Sequence, residues 1–88
     1  MNQHPRFAEI RAAAIAVFGT PDYDGESYAQ PRVAWNRSGV ALLGTAHCVY
    51  FVHPRTSGAW WVVDDVTMGA TVPLSDAIDA LRPIVRGG

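Results

Sequence analysis

The chain has 88 residues, 49% hydrophobic, 17% charged and 10% aromatic, with a formal net charge of −1, which reads as one small folded domain over 1–88 and excludes a disordered, fibrous or collagen-like chain. Its seven basic residues are all arginine and lie scattered, which disfavours a nucleic-acid binder that depends on a basic patch. Cys48 is the lone cysteine, so a scaffold stapled by intrachain disulfides is excluded; with no charged-then-apolar opening and no bilayer-length apolar run, the expectation is a soluble, cytoplasmic protein with no membrane partner.

Pro5 suits a first helical position, and Phe7, Ile10, Ala14, Val17 and Phe18 follow on one side at helical spacing. Gly19 stops that helix. Arg11 falls at the edge of the apolar stripe, where a side chain snorkelling from a core helix is the expectation.

The segment from Thr20 to Pro31 holds Pro21, Gly25 and Pro31, with Asp22, Tyr23, Asp24, Glu26 and Tyr28 between them. It reads as a twelve-residue connection, long enough in so small a domain to suggest a binding role. Asp22, Asp24 and Glu26 alternate as calcium-loop ligands do, but Gly25 falls too early and Val33 stands where a bidentate Glu is needed, so no metal site is expected.

Four short β-prone segments follow, over Arg32–Asn36, Val40–Leu43, His47–His53 and Ala59–Asp64. Asn36–Gly39 and His53–Gly58 read as hairpin turns, and the Gly44–Ala46 break is a tight turn or a bulge, giving three or four strands. After an ambiguous stretch over Thr67–Val72, Ser75 is placed to cap a short helix with Asp76 and Asp79 in its opening turns, and Leu74, Ile78, Leu81 and Val85 form its stripe. Pro83 should end or kink it. The expected fold is α+β: a helix, an antiparallel meander and a second helix.

Strand alternation tests the chemistry of the last hairpin. A five-residue loop over Pro54–Gly58 pairs Val49 with Val63, Phe51 with Trp61 and His47 with Asp65 on one face, and Cys48 with Asp64, Tyr50 with Val62 and Val52 with Trp60 on the other. His47 and Cys48 then point to opposite faces, and His47 and His53 stand about 20 Å apart along the strand, too far to share a metal. A His47–Asp65 pair is conceivable as a general base, but no nucleophile stands beside it. No metal-binding, Walker or dinucleotide pattern occurs, so no cofactor and no catalytic residue is assigned.

The aromatic residues carry more. If both helices pack on one side of the sheet, the other keeps large aromatic groups near solvent, and such a patch usually marks a partner surface. The expected function is therefore a non-enzymatic protein-binding module, a small inhibitor of the kind phages and mobile elements carry, anti-CRISPR proteins among them. It would contact a basic protein surface through Asp22, Tyr23, Asp24, Glu26, Tyr28, Trp60 and Trp61. A toxin-immunity protein, a homodimer through the aromatic face, and a small nucleic-acid-binding domain of helix–sheet–helix order are the competing expectations. The last rests on element order alone, as in double-stranded RNA-binding domains.

Overall fold

The structure, a computed structural model, describes residues 3–27, 30–53 and 59–85. Helix α1 (Phe7–Phe18) buries Phe7, Ile10, Ala14 and Phe18, the apolar stripe of its sequence. Pro5 lies in the turn ahead of it, and Arg6 takes the cap position, its carbonyl accepting the Ile10 N–H at 3.1 Å. Gly19, at φ 94°, ends the helix and donates its N–H to the Ile15 carbonyl at 2.9 Å. Only glycine takes that backbone conformation without a steric cost.

Five strands follow in one antiparallel meander: β1 (Tyr23–Ser27), β2 (Gln30–Trp35), β3 (Val40–Gly44), β4 (Cys48–Val52) and β5 (Ala59–Asp64), neighbours in space in the order of the chain. Helix α2 (Leu74–Val85) closes the fold. The class is α+β, as expected, with five strands instead of three or four.

The extra strand comes from the segment read as an acidic loop. Tyr23–Ser27 pairs with β2 from Tyr23 opposite Ala34 to Ser27 opposite Gln30. Asp, Gly and Glu are poor strand formers, so the strand exists by virtue of its partner and not its composition. The Gly44–Ala46 break is a tight turn between two strands: the Thr45 N–H donates to the Cys48 carbonyl, and the Thr45 hydroxyl oxygen accepts the N–H groups of His47 and Cys48. The Asn36–Gly39 turn is as expected, with Ser38 and Gly39 N–H groups both donating to the Trp35 carbonyl. The turn over Pro54–Gly58 lies outside the described residues.

Helix α2 departs from expectation at both ends. The Pro73 carbonyl accepts the Ala77 N–H at 3.1 Å, so Pro73 and not Ser75 occupies the cap position. The helix also runs past Pro83 to Val85. Pro83 costs little there, because it lies exposed in the last turn and deletes a single intrahelical bond.

Both helices pack on the same face of the sheet. Phe7, Ile10, Ala14 and Phe18 of α1 and Ala77, Ile78 and Leu81 of α2 join Val33, Trp35, Val40, Leu42, Val49, Phe51, Val62 and Val63 in one core. Gly44 marks the closest approach: a Cβ there would stand 2.8 Å from the Phe7 ring. The Trp35 indole N–H donates to the Gly19 carbonyl at 3.0 Å, tying the end of α1 to β2.

One irregularity decides which aromatic groups face the core. Val49 pairs with Val63 and Cys48 with Asp64, as expected, but a bulge beside Val49 and Tyr50 leaves Val62 without an opposite number, so Tyr50 pairs with Trp61 and Phe51 with Trp60. The extra residue reverses the expected faces of the two tryptophans. Trp60 packs against the core, while Trp61 lies beside Tyr50 on the face away from the helices.

Candidate protein-contact surface

The face opposite the helices is laid out by register. Reading across the strands, Gly25, Arg32, Leu43, Tyr50 and Trp61 form one row, and Tyr23, Ala34, Ala41, Val52 and Ala59 the next. Tyr23 leans over Gly25: a Cβ at Gly25 would lie 3.1 Å from the Tyr23 hydroxyl oxygen, and the Arg32 guanidinium sits over the Tyr23 ring at 5.3 Å. The first row is therefore a ridge of Tyr23, Arg32, Leu43, Tyr50 and Trp61, all partly exposed. The second is a trough of Ala34, Ala41, Val52 and Ala59.

Tyr50 and Trp61 stack with ring centroids 4.3 Å apart and planes tilted by 33°. Such a pair is worth about 0.5–1.5 kcal/mol beyond its buried area. It holds two large rings in place on a surface that neither helix covers.

The acidic residues expected to form a binding loop have other duties. Asp22 accepts the Asn36 N–H at 2.7 Å and donates its own N–H to the Ala34 carbonyl at 2.8 Å, so it organises the β2–β3 turn. Asp24 forms a two-pronged ion pair with Arg11 of α1. Arg11 thus clamps α1 to β1, and its donated hydrogen bonds hold the Asp24 carboxyl below the ordinary 3.8. Glu26 is exposed at the edge strand and its carbonyl accepts the Tyr23 hydroxyl at 2.5 Å. Tyr28 lies outside the described residues. Of the seven expected contact residues, Tyr23 and Trp61 reach the open face, Asp22, Asp24 and Glu26 belong to the β1 edge, and Trp60, partly buried, packs against the core on the helix side.

The expected His47–Asp65 pair is half right. The Asp65 N–H donates to the His47 carbonyl at 2.9 Å, so the strand ends meet, but His47 is exposed and the Asp65 carboxylate takes His4 instead. The His4 Nε2 lies 2.6 Å from Asp65 Oδ2, and its Nδ1 accepts the Arg6 N–H at 3.0 Å. Nδ1 is thereby the acceptor and Nε2 the donor. With both nitrogens engaged, this imidazole is a structural clamp and not a base waiting for a proton.

Sequence reasoning passed over His4 because its partner is 61 residues away. It passed over Arg32, Leu43 and Tyr50 because their common row appears only once the register of four strand pairs is known.

Beyond β5 the chain turns at Val66–Gly69 on the Asp64 side chain. The Thr67 hydroxyl and the N–H groups of Thr67 and Val66 all donate to that carboxylate, which holds it below the ordinary 3.8. The turn exposes Val66 at 63% and Met68 at 84%, the latter at φ 53°. It borders a shallow cleft of about 330 Å³ lined by Arg6, Asp65 and Thr71, among others.

Among the described residues no group of three or more His, Cys, Asp or Glu side chains could hold a metal ion, and no helix is long and apolar enough to cross a membrane. Comparison with protein families, with characterised proteins and with solved structures finds no match, so the surface is read from its own geometry.

Proposed function

We propose that this chain is a non-enzymatic protein-binding module that acts by occupying a partner's surface, as a small antagonist does, and that the contact is made by the open sheet face. One observation carries this reading: both helices pack on one side, leaving the ridge of Tyr23, Arg32, Leu43, Tyr50 and Trp61 on the other. Tyr, Trp and Arg dominate binding energy at protein interfaces because they bury large areas while keeping a polar handle. The ridge is also preorganised, since Tyr50 stacks on Trp61 and Arg32 on Tyr23, so little side-chain entropy remains to be lost on contact.

The basic-partner expectation gains less from this arrangement: Asp24 and Glu26 alternate to the helix side of β1, where Arg11 offsets Asp24, so exposed Glu26 borders the contact face from the sheet edge and does not lie on it. A cytoplasmic setting fits a lone, unbridged Cys48. The enzymatic alternative loses support because the His4–Asp65 pair has both imidazole nitrogens committed. A nucleic-acid reading has less support still: aromatic sheet faces do stack unpaired bases, but Arg32 is the one cation among the described residues of this face.

The experiment is a photo-reactive amino acid placed at position 61, with the same group at the exposed position 12 of α1 as control. The reading expects a defined protein adduct from position 61 and none from position 12. No protein adduct from position 61, or equal labelling from both positions, would overturn it.

A further inference from the structure

The His4 imidazole is built into the fold in one protonation state. Nδ1 accepts the Arg6 N–H at 3.0 Å, and Nε2 stands 2.6 Å from Asp65 Oδ2, with the side chain only 8% exposed. The main chain of the same residue is committed as well: its N–H donates to the Thr45 carbonyl, and its carbonyl accepts the Phe7 N–H. A ring that accepts at Nδ1 and donates at Nε2 is neutral, because both nitrogens of an imidazolium donate.

A proton taken from solvent therefore treats the two contacts differently. It adds to the Nδ1 lone pair, and there the new N–H points at the Arg6 N–H, two donors with no acceptor between them. The contact of Nε2 with Asp65 persists as an ion pair, but Asp65 is 58% exposed, so water screens most of what that pair gains. The Arg6 N–H, in contrast, loses its partner at a partly buried site. The neighbouring charged and titratable groups are engaged elsewhere. On the α1 side the Arg6 guanidinium pairs with Glu9, and at the end of β5 the Asp64 carboxylate accepts from the Val66–Gly69 turn. In the β3–β4 turn His47 is exposed, and Cys48 Sγ meets the Thr45 hydroxyl at 3.1 Å. Among the described residues Asp65 is the one carboxylate that contacts the ring.

We propose that His4 is a proton-operated latch on the start of α1: neutral, it holds Arg6 and Asp65 together, and protonated, it keeps Asp65 and lets Arg6 go. Arg6 is the cap residue whose carbonyl accepts the Ile10 N–H, so the released bond is one of those that fix how the chain enters the helix. Arg6 and Asp65 both line the cleft of about 330 Å³ that Met68 borders, so the latch also fixes part of its wall. Histidine changes charge between about pH 5 and 8, so the device answers to mild acidification, well above the range in which exposed carboxylates take up protons.

The bond that opens is of the N–H···N kind, and NMR of the full chain, isotope-labelled at nitrogen, reads it directly as a scalar coupling between the Arg6 amide nitrogen and His4 Nδ1. At about pH 8 the coupling should be present and Nδ1 should carry no hydrogen. At about pH 5 the coupling should be gone, Nε2 should keep its hydrogen, and the Arg6 amide should lose about tenfold in protection against hydrogen exchange. His4→Asn sets an amide oxygen in the place of Nδ1 and has nothing to titrate. In that variant the protection of the Arg6 amide should be the same at both pH values.

A coupling that persists in the wild-type chain at about pH 5 overturns the latch, and so does an Arg6 amide equally protected at both pH values. A loss of protection in His4→Asn as large as in the wild type also overturns it, because the group responsible would then lie elsewhere. Should His4→Asn fail to fold, the coupling in the wild-type chain decides alone. These readouts are confined to His4 and Arg6, so their outcome is independent of what the open sheet face binds.

Discussion

Asp65 closes on His4, across 61 residues of chain, and not on His47, whose carbonyl it nevertheless meets through its backbone. The contact fastens the segment before α1 to the end of β5, and the His4 N–H adds a bond to the Thr45 carbonyl at 3.1 Å. His4 is only 7% exposed, so its ring atoms have no ready substitute in water. His4→Ala removes the donor to Asp65 and the acceptor for Arg6 together and should cost about 1–3 kcal/mol. Asp65→Asn keeps an acceptor in place and should cost less, about 1 kcal/mol. Urea denaturation read by tryptophan fluorescence measures both, and equal losses from the two variants would contradict the clamp.

The features legible in the sequence were those decided within a few residues. The stripe of Phe7, Ile10, Ala14 and Phe18, the stop at Gly19 and the Asn36–Gly39 turn depend on local spacing and backbone preference, and each stands where the sequence puts it. Strand β1 was hidden because what holds it lies outside its own composition: the backbone of its hairpin partner β2, Arg11 on a helix 13 residues earlier, and the turn that Asp22 caps. The contact face was half legible. That one face would keep aromatic groups follows from having two helices and one sheet, but which tryptophan it keeps depends on the single extra residue at Val62, and a bulge inside an apolar run leaves no mark in composition.

Gly44 is the point at which α1 touches the sheet backbone. A methyl group there would meet the Phe7 ring at 2.8 Å and Pro31 Cγ at 3.3 Å. Phe7 is buried at the start of α1 and has no room to retreat. Gly44→Ala should therefore lift the helix from β3 and cost about 1–3 kcal/mol, the range for overfilling a packed core. A thermal melt that matches the wild type would show that the helix yields without cost.

The Arg11–Asp24 pair should show its effect in acid. Its carboxyl titrates below the ordinary 3.8 because Arg11 donates hydrogen bonds to the ionised form, with charge attraction adding to them. A carboxyl lowered on folding stabilises the protein fully above its unfolded value, and that contribution vanishes as pH falls from about 3.8 through the lowered value. Both side chains are 39% exposed, so solvent screening limits the coupling to about 0.3–1 kcal/mol. A double-mutant cycle of Arg11→Ala and Asp24→Ala should give that coupling at pH 7 and progressively less of it as pH falls below about 3.8, and it should shrink in high salt. A coupling that does not fall with acidification would mean that charge is not what joins α1 to β1.

The two adjacent tryptophans should answer to different perturbations. Trp60 packs against the core beside Phe51, its partner across the strands, whereas Trp61 rests on Tyr50 at 4.3 Å on the open face. Trp60→Ala removes a partly buried ring packed against the core and should cost about 2–4 kcal/mol. Trp61→Ala gives up the ring contact and some buried area and should cost about 1–2 kcal/mol. Acrylamide should quench the emission of a Trp60→Phe protein, which retains Trp61, more strongly than that of a Trp61→Phe protein. An unbulged strand pairing would put Trp60 beside Tyr50 on the open face and Trp61 against the core, and would therefore reverse both orders; the measurement reads out the bulge at Val62 directly.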